Sequence, residues 1–160
     1  YHGLRGINKR KKLMELLDMV ELPKEFMFRY PEELSGGQKQ RISLARALAA
    51  EPEIILCDEV TSALDSIVGS NIIELLRRLQ KNLDVSYVFI SHDLSTIASF
   101  ADRIIVMYNG KIVEQGPVLE VLSPPSHPYT ELLISSIPEL RVGWLEEANS
   151  RIQIAKDKLI

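Results

Sequence analysis

An Asp–Glu pair closes the short apolar run of "EIILCDE", setting Asp58 and Glu59 side by side. Neighbouring residues at a strand end leave the sheet in different directions, so the two carboxylates can hold separate tasks. One can face a Mg²⁺ shell while the other orients a water for attack on phosphorus. The same pair also suits an ordinary surface turn after a strand. His92 stands between Ser91 and Asp93 at the end of a second apolar run. An imidazole there could donate to a phosphate oxygen, or be a hydrogen-bonded structural group. Upstream, "LSGGQKQRISLARAL" puts Ser35, Gly36 and Gly37 ahead of a run of good helix formers. A helix start offers amides without intrahelical acceptors and a positive dipole end, and glycine lets the backbone come close to an anion. Gln38 and Arg41 follow on the first turns, within reach of a ligand or a neighbour; taken alone, the start is also a plain helix capped by Ser35. His2 and His127 lack such a setting, and the histidines are too isolated for a zinc site.

These residues need elements to hold them. Leu13, Leu16, Leu17 and Val20 line one helical face between Asn8 and Val20, with Asn8 as candidate N-cap, a basic run Lys9–Lys12 at its start, and Pro23 as its stop. That run could meet a partner or form a solvated face. The stretch on to Pro31 reads as irregular. "EIILCDE" fits a strand buried on both faces, as in a parallel sheet. Asp65 can cap a helix through Leu79 whose stripe is Val68, Ile72, Leu75, Leu76 and Leu79. "VSYVFISHD" reads as a second buried strand, Ser95 to Phe100 as a short helix, and "RIIVMYNGKIVEQG" as a hairpin turning at Asn109–Gly110. Strand, helix, strand with polar residues at the strand ends predicts an α/β sheet with a site at its carboxyl edge. Prolines then punctuate short helical pieces, one at Tyr129 to Ile137, before a charge-mixed amphipathic helix from Leu140 to Ile160.

The order of four segments says more than any one of them. "LSGGQ", "IILCDE", "TSALD" and "ISHD" begin at residues 34, 54, 61 and 90. Here the chain resembles the ATP-binding cassette (ABC) ATPases, in the C-terminal part of a transporter nucleotide-binding domain. The segments resemble, in order, the family's signature motif, Walker B strand, D-loop and switch-histidine region. "SPPSHPYTELLISSIPEL", residues 123 to 140, resembles the C-terminal segment of dipeptide and oligopeptide importers, a tail also seen in related nickel and glutathione systems. "TSALD" is the transporter form of the D-loop, unlike that of translation-linked members, and the long coiled coils of chromosome-maintenance members are absent. The resemblance covers the chain from Asn8 to about Pro138.

What the resemblance implies is an α/β P-loop NTPase fold with a parallel-sheet core, a helical subdomain in residues 1–50, core in 51–116 and a C-terminal extension in 117–160. In the family two domains pack head to tail around ATP and Mg²⁺. Carried over, Ser35, Gly36, Gly37 and Gln38 would touch the γ-phosphate of ATP bound to the opposite domain. Asp58 would hold Mg²⁺, Glu59 would polarise the attacking water, His92 would contact the γ-phosphate, and Asp65 would link the two sites. Implied partners are a second nucleotide-binding domain, transmembrane permease subunits and, indirectly, an extracytoplasmic solute-binding protein. The implied place is the cytoplasmic face of a prokaryotic inner membrane.

The chain departs from the family in places. Val60 stands where proline usually follows the glutamate, and Cys57 is a small apolar substitute within the strand. With no cysteine beyond Cys57, neither a disulfide framework nor the iron–sulfur cluster of some peptide-type members can form. No G-x-x-x-x-G-K-[ST] loop occurs; Gly110–Lys111 is followed by Ile112 and belongs to the hairpin. The resemblance therefore places the phosphate cradle, the adenine-stacking aromatic and the glutamine loop upstream of Tyr1, and the chain is expected to be a fragment, inactive alone, with strand faces exposed. The rival expectation is a non-hydrolytic interaction module. With 160 residues, 46% apolar content and a net charge of −3, the chain can form a core and lacks the basic balance of general nucleic-acid binders. No apolar run reaches membrane-spanning length, and Tyr1 does not open a signal peptide.

Overall fold

A computed structural model describes residues 7–123, 127–137 and 152–153. The chain forms two compact units, Tyr1–Ser91 and His92–Ile160.

In the first unit, helix α1 (Ile7–Met19) buries Leu16 and Leu17. Asn8 is not its cap: Ile7 is already helical, so Asn8 sits inside the first turn. The helix also stops before Pro23 is reached. The Leu22 amide donates to the Leu17 carbonyl at 2.9 Å and the Glu21 amide to the Asp18 carbonyl at 3.0 Å, with Glu21 at φ 57°. This is a Schellman stop with glutamate in the left-handed seat that glycine usually takes. The stretch expected to be irregular is wound into two short 3-10 turns, Lys24–Phe28 and Pro31–Glu33.

Helix α2 (Gly36–Leu48) and helix α3 (Ser66–Leu83) follow, and α3 buries Ile72, Leu75, Leu76 and Leu79 of its predicted stripe. It runs past Leu79 and ends at Asp84, in the left-handed region at φ 53°. Strands β1 (Ile54–Asp58) and β2 (Ser86–Ile90) pair in parallel around α3, in the register Ile55 to Tyr87 and Cys57 to Phe89. The expectation that β1 is buried on both faces does not hold here. Ile55 and Cys57 are buried, but Ile54 and Leu56 are 62% and 64% exposed, and Val88 and Ile90 share their open face. Among the described elements only one side of this sheet is covered. Burial pushes the Cys57 thiol up to about 11, so it stays protonated and acts as a small apolar side chain.

The second unit holds α4 (Leu94–Phe100), a hairpin of β3 (Arg103–Tyr108) and β4 (Lys111–Pro117), α5 (Val118–Val121) and α6 (Pro128–Ser135). Leu94, Ile104, Val106 and Val121 form its core. Asn109 at φ 48° and Gly110 at φ 74° make the expected two-residue hairpin turn. The His-Pro-Tyr-Thr sequence has a local physical reading. His127 Nδ1 accepts the Tyr129 amide at 3.1 Å as the N-cap of α6, and Pro128 takes the first helical position, where no amide is missed. The Tyr129 ring lies 4.5 Å from that of Tyr108, and Thr130 is fully buried. The helix expected from Leu140 to Ile160 falls outside the described residues except at Ile152 and Gln153.

One ion-pair network ties the helices of the first unit. Glu21 receives Arg41 on one carboxylate oxygen and Arg78 on the other, each at 2.5 Å, and Arg41 also donates to the Val20 carbonyl at 2.9 Å. The end of α1 is thereby fastened to α2 and α3. The hydrogen bonds from Arg41 and then Arg78 hold the Glu21 carboxyl below its ordinary value of 4.5. A carboxylate lowered on folding stabilises above its unfolded pKa and loses that contribution as pH falls through the folded value. We expect Glu21→Gln to cost about 1 kcal/mol at pH 7, the pair being half in solvent. The difference from wild type should shrink below pH 4.5. Urea midpoints measured from pH 7 to pH 3 check this.

Candidate functional site

The helix start that begins at Ser35 is closed by a reciprocal cap. Gln38 donates its amide to Ser35 Oγ at 3.4 Å, and Gln38 Oε1 accepts the Ser35 amide at 2.9 Å. Both polar side chains of the candidate anion site thus accept from each other's backbone amide. The Gly36 and Gly37 amides have no acceptor within the helix and can face an incoming anion. Arg41, one turn on, is turned towards Glu21 and Val20 and works as a structural tie.

The glycines also meet a demand internal to the chain. A Cβ on Gly36 would lie 3.2 Å from Leu64 Cδ2, and one on Gly37 only 2.6 Å from Val68 Cγ1. The start of α2 is seated on the start of α3, at a separation that leaves no room for a methyl group on Gly37. Asp65 fixes the other half of this contact: its Oδ1 accepts the Val68 amide at 2.9 Å, capping α3 as the sequence predicts. The segments beginning at Leu34 and Thr61, far apart in sequence, are therefore adjacent in space.

Asp58 ends β1, exposed, and Glu59 follows it at φ 47°. This is the left-handed region, uncommon for a non-glycine residue. The Glu59 amide donates to the Ile90 carbonyl at 2.9 Å, and the Ser62 amide returns to the Glu59 carbonyl at 3.1 Å, closing a turn over Val60 and Thr61. Among the described residues no three His, Cys, Asp or Glu side chains gather into a metal cluster. A lone strand-end carboxylate at Asp58 fits an ion such as Mg²⁺, which takes most of its ligands from water and phosphate.

The first unit thus brings Ser35, Gly36, Gly37, Gln38 and Asp65 together, with Asp58 and Glu59 at the head of the same turn. His92 opens the second unit and is exposed. Beside it, Asp93 caps α4. Partial burial pushes its carboxyl up, but hydrogen bonds from the hydroxyls and amides of Ser95 and Thr96 outweigh this and hold it below the ordinary range. The sequence reading missed Ser62, although a serine three residues after a strand-end glutamate is a turn signal. It also missed Glu21 and Arg78, for which no local pattern exists.

The glycine-started helix, seated on the helix that follows a strand-end Asp–Glu pair, defines the C-terminal part of an α/β nucleotide-binding cassette of the P-loop NTPase class. Among solved structures the chain is similar to the dimeric post-hydrolysis state of an ATP-binding cassette bound to ADP and Pi. The TM-score is 0.63 at 39% identity, over 74% of this chain and 51% of that one. Residues 7–62 match the family model for the ABC transporter, and residues 113–158 that for the oligopeptide/dipeptide transporter C-terminal region. A Brucella melitensis protein provisionally named as a peptide import ATP-binding protein is 48% identical over 142 residues, 88% of this chain and 43% of the relative. The oligopeptide transport ATP-binding protein OppF of Lactococcus lactis is 41% identical over 150 residues, 93% of this chain and 47% of the relative. The chain belongs to the ABC transporter family and carries the C-terminal region of its oligopeptide/dipeptide branch. It spans less than half the length of these two relatives.

The α2–α3 contact predicts a specific double-mutant result. Gly37→Ala should destabilise the first unit by about 1–3 kcal/mol through overpacking against Val68. Adding Val68→Ala should recover part of that loss, although the valine change alone also destabilises. Urea denaturation of the four members of the cycle measures the coupling; simple additivity would disprove the contact.

Proposed function

We propose that this chain forms the signature, Walker B and switch-histidine portion of the ATP-hydrolysing subunit of a peptide importer. The observation that carries the reading is the seating of the Ser35–Gly36–Gly37 helix start on the Asp65-capped helix, at the far end of the turn that Glu59 begins. The Gly36 and Gly37 amides and the Glu59 residue thus belong to one unit, which supports the reading. The family membership and the names of the relatives support it.

In this reading the Gly36 and Gly37 amides close on the γ-phosphate of ATP cradled by an opposing domain, where the start of α2 offers its positive dipole end. Glu59 accepts a hydrogen bond from the attacking water and aims it at the phosphorus. Asp58 would sit in the shell of Mg²⁺, whose charge offsets that of the phosphates. The His92 imidazole donates to the γ-phosphate and registers its loss. Asp65 keeps Oδ1 on its own helix and offers Oδ2 across the domain interface. Residues 1–50 meet the permease subunits at the cytoplasmic membrane face, where a solute-binding protein outside delivers the peptide. No helix among the described residues is long and apolar enough to cross the membrane itself.

The test uses the full-length protein expressed from its native gene. Glu59→Gln should lower ATP turnover by at least about a hundredfold, in line with the loss of a positioned base. ATP should still draw two copies together on size exclusion. The 160-residue chain alone, which has no G-x-x-x-x-G-K-[ST] loop, should show no turnover above background. Hydrolysis that survives in Glu59→Gln would overturn the reading.

A further inference from the structure

We infer that Ser62 is a positioning residue for Glu59; the inference rests on the water-polarising role proposed for that glutamate. Glu59 sits at φ 47°, where a residue with a Cβ persists only if its surroundings hold it. Both of its peptide groups are held. On the N-terminal side, its amide donates to the Ile90 carbonyl at 2.9 Å, which pins it to the end of β2. On the C-terminal side, its carbonyl accepts two bonds from one residue: the Ser62 amide at 3.1 Å and the Ser62 hydroxyl at 2.9 Å.

The amide bond is the ordinary closure of a four-residue turn. The hydroxyl bond is additional, and its value follows from what stands between. Val60 occupies the first central position, where proline would preset φ. Valine leaves that torsion unlocked, so the Glu59–Val60 peptide can turn, and the left-handed backbone that carries the carboxylate can relax, unless the carbonyl is held. Ser62 does this with two donors that converge on one oxygen. A single amide would allow the peptide plane to rock about one axis; a second donor removes that freedom. The glutamate is then aimed before any water arrives, and a misplacement of about 1 Å at such a group can cost on the order of a hundredfold in rate.

The restraint also reaches the anion site. Past Ser62, the Leu64 amide donates to the Thr61 carbonyl at 3.2 Å, and the Leu64 side chain lies where a Gly36 Cβ would meet it at 3.2 Å. The turn that Ser62 closes therefore runs directly into the contact that seats the phosphate-facing amides.

The experiment compares Ser62→Ala, Ser62→Thr and Glu59→Gln in the full-length protein. It follows hydrolysis of pre-bound ATP in a single turnover, which counts only molecules folded well enough to bind. Ser62→Ala should slow that step about tenfold, the effect of roughly one hydrogen bond on a barrier, with the KM for ATP unchanged. Ser62→Thr keeps the hydroxyl and should return to within about twofold of wild type, which a role confined to general folding would not require. An unchanged rate in Ser62→Ala, a shift in KM without a change in rate, or a threonine variant as slow as alanine would overturn the inference. If Ser62→Ala fails to fold, the threonine variant alone decides, since the proposal requires it to turn over near the wild-type rate. Persistent turnover by Glu59→Gln would instead refute the role given to the glutamate, whatever Ser62 does.

Discussion

A methyl group on Gly37 would come within 2.6 Å of Val68, and much of the first unit follows from that close approach. Two helix starts come this near because one lacks a side chain at the contact and each is closed by its own cap. Here the reciprocal Ser35–Gln38 cap serves α2, and the Asp65 cap serves α3. With both starts closed in this way, the Gly36 and Gly37 amides are held by a rigid base while pointing at nothing in their own helix. The glycines admit the neighbouring helix from inside, and in the proposed reading they also admit an anion from outside. A reading that explains these glycines by ligand approach alone accounts for half of the constraint.

The second constraint is backbone strain at Glu59, offset by bonds that both precede and follow it. The residue needs β2 for its amide and the turn over Val60 for its carbonyl, so its geometry depends on the β1–α3–β2 arrangement as a whole. The α1 stop shows the same economy of form. There Glu21 also takes a left-handed conformation, and its side chain draws in Arg41 from α2 and Arg78 from α3. At both places a glutamate stands in a conformation better suited to glycine. At Glu21 the use is structural and visible in the ion pairs. At Glu59, exposed at a strand end, the proposed use is chemical.

Local features were the most legible from sequence. The Ser35 and Asp65 caps, the apolar stripe of α3, the parallel strand pair and the Asn109–Gly110 turn all rest on short-range patterns, and the structure places them as expected. The errors have physical causes. Asn8 has the side chain of a cap, but the helix begins before it, and Pro23 looked like a stop because a glutamate-seated Schellman turn carries no glycine to announce it. The Glu21–Arg41–Arg78 network pairs Glu21 with residues 20 and 57 positions away, a relation that no periodicity encodes. Ser62 lies within "TSALD", yet the likeness of a segment to a family does not say which oxygen a hydroxyl meets. His127, which stands outside the four segments, has a structural role as the N-cap that opens α6.

The mismatch on β1 bears on the largest question of organisation. A run such as Ile54-Ile55-Leu56-Cys57 is the pattern of a parallel strand covered on both sides, because parallel sheets in α/β proteins carry layers on each face. Among the described residues only the face of Ile55 and Cys57 is covered, while Ile54, Leu56, Val88 and Ile90 form a contiguous apolar surface. Leaving such side chains in water forfeits roughly 25 cal/mol for each Å² of apolar area that could be buried. The composition of the strand is thus matched to a second layer, and the side without cover is where that layer would bind. The proposed reading supplies one, since the matched part of this chain is less than half of each of the two relatives compared. In that reading the strand residues that look misplaced here are the inner face of a larger cassette sheet. The same cassette would hold the cradle that the Gly36 and Gly37 amides of a partner domain close upon.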